Sequence, residues 1–323
     1  MDSQLSKPFI SIIIPTFNSS EYLEETLKSL ANQTSHEFEV LVIDDQSSDN
    51  TLEVAVDAFK KNNLRGKIIR RPDEISKGVS NCRNLGIKIA KSEWISFLDS
   101  DDLFLPEKIE GTINFIKQFG NNCFAYFHAA RQFEDKTNRT IQISVAPSFK
   151  TPENILPRIL KQNIITTATV TVKKTLLEKI GGFDTTLHGI EDYMLWLRVA
   201  KQTNWYYSND VWTDYRVRKE SLMGGREMKY YITQNNNLLI AARKLHEFSS
   251  LEISEIESYL FDDVMHYYAS VALNVRGWGD FTKGLSALIK IGKIKLAFIL
   301  FSKHTKFLMK NIIVQLFIKK VKK

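Results

Sequence analysis

The sequence predicts an α/β fold in which a mostly parallel central sheet is flanked by helices and followed by a helical C-terminal region. Short apolar runs at residues 9–14, 38–43 and 94–98 alternate with segments whose apolar residues recur at helical spacing. Strands of a parallel sheet are buried on both faces, so they read as continuous apolar runs. From residue 229 onward the pattern is helical, and we expect no further strand there.

The individual elements follow from these runs and from the residues that end them. Pro15 ends the first run because proline has no backbone N–H with which to continue a strand. The Asn and Ser residues at 18–20 favour the start of a helix, and Gly181 and Gly182 end a later one. In chain order we expect strands at 9–14, 38–43, 67–70, 94–98, 123–128, 141–145, 168–172 and 211–217, and helices near 21–30 and at 51–62, 79–90, 174–180 and 191–203.

The composition allows one large domain or two smaller ones, because the chain has 323 residues of which 43% are hydrophobic. Gly224 and Gly225 fall where the strand pattern ends. We therefore divide the chain into a first domain at 1–225 and a helical region at 226–323.

The charge of the chain is uneven. Residues 283–323, called the basic segment below, contain eleven lysines and no acidic residue; the whole chain carries +7, so residues 1–282 carry −4. Lysines interleaved with apolar residues are typical of an amphipathic helix on an anionic membrane surface. The alternative is a helix whose apolar side packs on its own domain. Nucleic acid is not an expected partner, because this segment has little arginine and few stacking aromatic residues.

The cysteine content and the N-terminus indicate a reducing compartment. Cys82 and Cys123 are too few for a disulfide framework. The first eight residues are polar, with no apolar signal segment, and no apolar run reaches the roughly 20 residues of a spanning helix. We expect a cytoplasmic protein that is peripheral on the inner face of the cell membrane.

Polar residues follow the predicted strands and indicate a binding site. Residues 15–18 follow the first strand, Asp44 and Asp45 the second, and residues 99–102 the fourth. In open α/β sheets ligands bind at the carboxyl ends of the strands, so these residues are expected at one edge. Residues 15–20 contain no glycine, which argues against a dinucleotide-binding fold.

The cluster Asp99, Ser100, Asp101 and Asp102 is the most informative of these strand ends. Clustered carboxylates repel one another and are costly to desolvate unless a cation or hydrogen-bond donors neutralise them. Oxygen ligands suit Mn²⁺ or Mg²⁺, and Mg²⁺ typically uses one or two carboxylates together with substrate phosphates. We expect a metal–diphosphate site, and the alternative is an N-cap for the helix that follows.

Several runs of the chain, over about residues 9–222, resemble family 2 glycosyltransferases in sequence and in order. They are SIIIPTFN at 11–18, VIDDQSSD at 42–49, GVSNCRNLG at 78–86, FLDSDD at 97–102, GGFD at 181–184 and EDYMLWLR at 191–198. Each motif is weak alone, and together they are specific. The resemblance implies the GT-A fold, a nucleotide-sugar donor, a divalent metal and inversion at the anomeric carbon.

The same resemblance implies a nucleoside pocket formed by the first two strand ends. Its residues are Pro15, Thr16, Phe17, Asp44 and Asp45. Asp45 would accept the ring N–H of uracil, whereas Asp44 has the alternative role of holding the turn through Ser47 or Ser48. Arg83 would reach the base, the ribose or a phosphate, and the alternative is a salt bridge to a nearby aspartate.

For the metal and the phosphates, the resemblance assigns Asp101 to the metal and Asp99 to the metal or the ribose, with Ser100 between them in the nucleotide site. Arg218 stands where many relatives have the histidine of an Arg-X-His loop that closes over the diphosphate. Arginine is always charged, so this departure places a permanent cation near the phosphates instead of a metal ligand.

For catalysis, the resemblance assigns Asp192, with Glu191 beside it, as the base that activates the acceptor. The alternative is compensation of the helix dipole, since acids are favoured in a first helical turn. That dipole is expected to lower the pKa of Asp192, so proton transfer would be late and concerted. Thr166 and Thr167 precede a predicted strand and are expected to face the acceptor.

These implications predict an inverting glycosyltransferase that moves a sugar from a nucleotide-sugar, expected to be a UDP-sugar, to a hydroxyl of a saccharide or lipid-linked acceptor. Cell-surface polysaccharide biosynthesis is the expected setting. One alternative is a metal-dependent sugar nucleotidyltransferase, which would lack a base placed like Asp192. Another is a non-catalytic, membrane-associated assembly subunit.

Overall fold

The computed structural model describes residues 7–146, 149, 151–218 and 228–260, with the backbone alone for residues 228–231. The chain divides into two compact units, Met1–Ser221 and Leu222–Lys323. The boundary predicted at residue 225 and the basic segment both lie outside the described residues.

The described strands of the first unit form one mixed sheet. They are β1 (Ile10–Thr16), β2 (Phe38–Asp44), β3 (Gly66–Arg70), β4 (Trp94–Phe97), β5 (Leu103–Phe104), β6 (Ala125–Glu134), β7 (Thr140–Ser144), β8 (Thr171–Lys173) and β9 (Trp205–Val217). Their order is β3-β2-β1-β4-β8-β6-β9-β5, with β7 beside β6. Strands β1 to β4 are parallel, whereas β8 is antiparallel to both β4 and β6.

The helices of this unit connect the strands. They are α1 (Leu23–Ala31), α2 (Thr51–Lys61), α3 (Val79–Ile89), α4 (Lys108–Phe119), α5 (Leu156–Ile159), α6 (Lys174–Lys179) and α7 (Glu191–Gln202). Every residue of β1 and β2 is buried. At Gly86 of α3, an added Cβ would lie 2.5 Å from Ile13 Cγ2, so glycine allows α3 to lie this close to β1.

The predicted α/β fold is confirmed, with differences at particular elements. Strands β6 and β9 are longer than the patterns indicated, and residues Thr167–Thr169 form a 3-10 turn before β8. The alternative interpretation of residues 99–102 as a helix N-cap does not hold, because Glu107 occupies the N-cap of α4. Residues Leu103–Phe104 pair with β9, and this pairing keeps the chain extended where a helix start was expected.

The second unit is helical in its described residues, as predicted. Helix α8 spans Met228–Lys244, and residues 250–260 are also helical. Asn235 Nδ2 donates a hydrogen bond to Leu260 O at 3.1 Å, and Arg243 pairs with Glu257 at 3.3 Å, so these two helices are joined. Within the part of the chain that the structure describes, we find no helix whose length and apolar content would let it span a membrane.

Candidate active site

The loops that follow β1, β2 and β4 are joined at one edge of the sheet. Asn18 N donates to Ser47 Oγ at 2.9 Å, and Ser48 N donates to Asn18 Oδ1 at 2.9 Å. Ser100 Oγ donates to Ser19 Oγ at 2.8 Å. These bonds bring the three strand ends together, because each one joins a residue of one loop to a residue of another.

Asp45 lies directly after β2 and is held from two sides. It is 6% exposed. Arg71 Nε pairs with Asp45 Oδ1, and Gly78 N donates to Asp45 Oδ2 at 2.9 Å. Gly78 has a φ of +134°, a conformation that favours glycine. A carboxylate has about four lone-pair sites, so Asp45 can accept a further hydrogen bond from a ligand.

Pro15, Thr16 and Phe17 take different positions at the end of β1. Pro15 and Thr16 are buried within the strand. Phe17 is 43% exposed, and Lys77 Nζ lies 3.6 Å from the centroid of its ring. Of the three side chains, that of Phe17 therefore offers the most surface to a ligand.

Asp44 and Arg83 adopt the alternative roles that the sequence left open. Asp44 is buried and accepts a hydrogen bond from Ser47 N at 3.1 Å, which holds the turn after β2. Arg83, on α3, is 4% exposed; its Nη2 donates to Asp99 Oδ1 at 2.7 Å and its Nη1 to Glu191 Oε1 at 3.1 Å. Burial disfavours the charged guanidinium, but these two carboxylates outweigh that effect and raise the pKa of Arg83.

Two arginines contact the aspartates after β4. Arg216 lies on β9, and Arg218 comes directly after that strand. Arg218 Nη2 lies 2.6 Å from Asp101 Oδ2, and Arg216 N donates to Asp102 Oδ1 at 2.9 Å. Burial, followed by the charge of Asp99, raises the pKa of Asp101. Burial and the neighbouring aspartates raise the pKa of Asp102 well above its usual value. The two arginines therefore do not fully offset burial and repulsion.

Asp99 and Asp101 supply carboxylate oxygens, which is the ligand type that divalent cations use in nucleotide sites. Among the described residues, no group of three or more His, Cys, Asp or Glu side chains is arranged to hold a metal by itself. Nucleotide sites for Mg²⁺ need only one or two carboxylates, because the phosphates supply other ligands. The raised pKa of Asp101 indicates that additional positive charge would be favourable here.

Asp192 is the second residue of α7, and its carboxylate is oriented by two donors. Thr167 Oγ1 donates to Asp192 Oδ2 at 2.8 Å, and Tyr193 N donates to Asp192 Oδ1 at 2.7 Å. Burial and then the charge of Glu191 raise the pKa of Asp192 to about 6, although Arg83 and the two hydrogen bonds act in the opposite direction. The prediction of a lowered pKa is wrong, because burial of the carboxylate outweighs the helix dipole.

Glu191 differs from Asp192 in that one of its carboxylate oxygens is bound by a guanidinium. Arg83 Nη1 donates to Oε1, and Gly189 N donates to Oε2. Its exposure is 6%. Glu191 therefore holds Arg83 in place, and its negative charge raises the pKa of Asp192.

The sequence reasoning missed two residues at this site. Arg71, the partner of Asp45, comes directly after the strand predicted at 67–70, and that position at a strand end was the available signal. Tyr215 lies on β9, and its pKa is raised by burial and by the surrounding acids, which are Asp102, Asp99, Asp101 and Asp192. The Tyr215 hydroxyl therefore experiences the negative charge of two parts of the site. One is the group of aspartates after β4, and the other is Asp192 on α7.

A family model described as "Glycosyl transferase family 2" matches residues 11–181 of the chain. An uncharacterized glycosyltransferase of Haemophilus influenzae is 31% identical over 60% of this chain and 62% of its own length. The Escherichia coli UDP-Glc:alpha-D-GlcNAc-diphosphoundecaprenol beta-1,3-glucosyltransferase WfgD is 30% identical over 67% of this chain and 80% of its own length. The chain therefore spans less than two thirds of the first of these relatives.

Solved structures give the same fold. The crystal structure of Staphylococcus aureus TarS 1–349 in complex with UDP-GlcNAc superposes with a TM-score of 0.67 and 22% sequence identity, over 88% of this chain and 80% of that one. The shared architecture is a mostly parallel, curled sheet flanked by helices, with helices at the C-terminal end.

Proposed function

Because this chain belongs to glycosyl transferase family 2 and has the GT-A fold, we propose that it is an inverting glycosyltransferase. It moves a sugar from a UDP-sugar to a hydroxyl of a saccharide or lipid-linked acceptor. The observation that supports this most directly is the carboxylate of Asp192, which Thr167 Oγ1 and Tyr193 N hold in one orientation at the start of α7. Glu191 and Arg83 connect the helix of Asp192 to Asp99 at the predicted diphosphate site.

The donor nucleoside binds at the ends of β1 and β2 in this proposal. Phe17 contributes exposed aromatic surface, and Asp45 accepts the ring N–H of uracil. Arg71 and Gly78 fix the orientation of Asp45, since each donates to a different carboxylate oxygen. A nucleobase with a hydrogen-bond acceptor at that ring position would place its lone pair against the Asp45 carboxylate. Two acceptors repel each other, so such a base should bind more weakly than uracil.

The diphosphate binds beside Asp99 and Asp101. These two residues would hold Mn²⁺ or Mg²⁺, which when bound neutralises charge on the leaving diphosphate. Ser100 is fixed by its hydrogen bond to Ser19, so the backbone between the two aspartates is connected to the nucleoside side of the site. Arg218 adds a guanidinium next to Asp101.

The acceptor hydroxyl is activated by Asp192. Inversion in one displacement needs a single base on the side of the sugar opposite the diphosphate. As the new bond to the anomeric carbon forms, the bond from that carbon to the diphosphate oxygen breaks and UDP leaves with the bonding electron pair. The hydroxyl proton moves to a carboxylate oxygen of Asp192. Thr167 and Tyr193 N hold that carboxylate in one orientation. A pKa near 6 keeps Asp192 ionised at neutral pH, and its basicity exceeds that of an exposed aspartate.

The acceptor class is supported by a relative. The name of WfgD gives that enzyme a UDP-glucose donor and an acceptor attached to diphosphoundecaprenol. A lipid-linked acceptor would also suit the basic segment, which we propose attaches the protein to the inner face of the cell membrane through anionic lipids. Surface-polysaccharide biosynthesis is the proposed setting.

The proposed reaction is tested with purified protein and a panel of nucleotide-sugars, first by protection against thermal unfolding and then by transfer to lipid-linked acceptors. Asp192→Asn should bind UDP as tightly as the wild type and lose about 10²–10⁴-fold in kcat. Asp101→Ala should lose both nucleotide protection with Mn²⁺ and transfer. Asp57→Asn, at an exposed position on α2, is the matched control. Undiminished turnover by Asp192→Asn would contradict the proposal.

Membrane attachment is tested separately, by sedimentation of the full chain with liposomes of neutral or anionic lipid. Binding should require anionic lipid, weaken with added salt and disappear when residues 283–323 are removed. Equal binding to neutral liposomes, or unchanged binding after the deletion, would contradict this part of the proposal.

A further inference from the structure

The ion pair between Arg218 and Asp101 places a protein cation on the carboxylate that is proposed for the metal. Arg218 Nη2 lies 2.6 Å from Asp101 Oδ2, and the two side chains are 31% and 20% exposed. The Arg218 guanidinium carbon lies 4.9 Å from the centroid of the Tyr22 ring, so the aromatic face supports it from another side. A divalent cation on Oδ2 of Asp101 and this guanidinium would occupy the same place.

A second arginine, Arg216, holds the backbone of the loop that contains Asp101. Its Nε donates to Asp101 O at 2.7 Å, and its other nitrogens pair with Asp135 at 2.7 Å and Glu25 at 2.6 Å. The backbone of the Asp101 loop is therefore held without Arg218. By contrast, Arg218 Nε is buried and has no hydrogen-bond partner among the described residues.

We propose that Arg218 is an internal competitor of the divalent cation at Asp101, and that the diphosphate of the donor releases it. Two positive groups cannot share one carboxylate oxygen without repulsion. The guanidinium therefore leaves Asp101 only when another anion accepts it, and diphosphate oxygens match its planar donors. This inference rests on the proposed function, because it needs a donor that contains a diphosphate.

The consequence is that cation and nucleotide bind cooperatively. A cation alone must displace Arg218 from Asp101, which weakens cation binding. Once the diphosphate has accepted Arg218, the carboxylate is free for the cation, and the phosphates add ligands of their own. Linkage requires the reverse effect as well, so the cation strengthens nucleotide binding by the same factor.

The test measures Mn²⁺ binding directly, as free Mn²⁺ by electron paramagnetic resonance, with and without UDP. Arg218→Gln should bind Mn²⁺ about tenfold more tightly than the wild type in the absence of UDP, and UDP should add less to its Mn²⁺ affinity. Arg218→Lys keeps a positive charge but lacks the planar guanidinium. Its Mn²⁺ affinity in the absence of UDP should lie between those of the wild type and Arg218→Gln. Arg139→Gln, at an exposed ion pair with Glu134, should behave as the wild type.

Two results would overturn the inference. The first is that Arg218→Gln keeps its thermal transition but binds Mn²⁺ no more tightly than the wild type. This would show that the guanidinium does not compete with the cation. The second result is that the wild-type protein binds no Mn²⁺ even in the presence of UDP. In that case Arg218 has no cation with which to compete, and the proposed metal site is contradicted as well. Asp101→Asn should abolish Mn²⁺ binding under both conditions, which identifies the site measured.

Discussion

Arg83 Nη1 lies 3.1 Å from Glu191 Oε1, although 108 positions separate the two residues in the chain. The same guanidinium bonds Asp99 through Nη2 at 2.7 Å. Arg83 is thus the connection between the proposed diphosphate site at the end of β4 and the helix that begins at Glu191 and includes Asp192. Its position on α3 depends on the close packing of that helix against β1 at Gly86.

Replacing Arg83 should affect both stability and the proposed base. Arg83→Gln leaves Asp99 and Glu191 without their shared cation, and we expect the free energy of unfolding to fall by about 3 kcal/mol. Because Arg83 lowers the pKa of Asp192, the acidic limb of the pH–rate profile should also move to higher pH. Urea unfolding and kcat/KM profiles measure the two effects. A loss of stability with an unmoved pH profile would show that Arg83 does not act on Asp192.

The proposed base predicts a pH profile with a definite sign. Asp192 must be ionised to accept a proton, and its pKa is raised to about 6. We expect kcat/KM to be constant above that pH and to fall tenfold per pH unit below it. Thr167→Val removes a hydrogen bond that stabilises the ionised form, so the limb should move to higher pH by about half a pH unit.

The control for this prediction is Thr167→Ser, which keeps the hydroxyl that bonds Asp192 Oδ2. Its profile should match that of the wild type. A profile of Thr167→Val that coincides with the wild type, or that moves to lower pH, would show that Asp192 is not the group that limits the rate in acid.

The buried pair of Arg71 and Asp45 predicts coupled effects on nucleotide binding and stability. Each side chain has only a small exposed fraction, so removing one partner leaves an uncompensated charge. Arg71→Met alone should reduce the free energy of unfolding by about 3 kcal/mol and weaken UDP binding. Arg71→Met combined with Asp45→Asn should cost less than the sum of the single changes. Additive costs in urea unfolding and in calorimetry with UDP would show that the pair is not coupled.

Lys108 predicts a stability effect that is independent of catalysis. It is fully buried on α4, with Thr112 Oγ1 at 3.3 Å from Nζ, and burial lowers its pKa to about 7. In the unfolded chain a lysine binds its proton up to about pH 10.4. Between these values the unfolded state binds more protons, so stability should rise with pH.

Lys108→Met should remove that rise and increase the free energy of unfolding at pH 7 by on the order of 3 kcal/mol. Lys117→Met, at an exposed position of the same helix, is the control and should leave the pH dependence unchanged. Urea unfolding at pH 7 and pH 9.5 measures both variants. A less stable Lys108→Met would mean that the contacts of the ammonium, including its hydrogen bond to Thr112, outweigh the cost of burying it.

The strands that form the site were predictable, because their signals are local. Continuous apolar runs predict β1, β2 and β4, and the polar residues that follow these runs include Asp45, Asp99 and Asp101. The extended pairing at Leu103–Phe104 was not predictable, because it depends on β9, whose paired residues Thr213 and Asp214 lie more than a hundred positions away. The helix that follows Asp102 therefore begins only at Lys108.

The fold class, the family and the edge of the sheet at which the acids gather were predictable from the chain, since these depend on periodicity and on residue types in a fixed order. The ion-pair partners of the site depend on the folded chain: Arg71 pairs with Asp45, Glu191 with Arg83 and Arg218 with Asp101. It also reversed the expected direction of the pKa of Asp192. The reason is that a charge responds to burial and to neighbours from distant segments, and only the folded chain sets those distances.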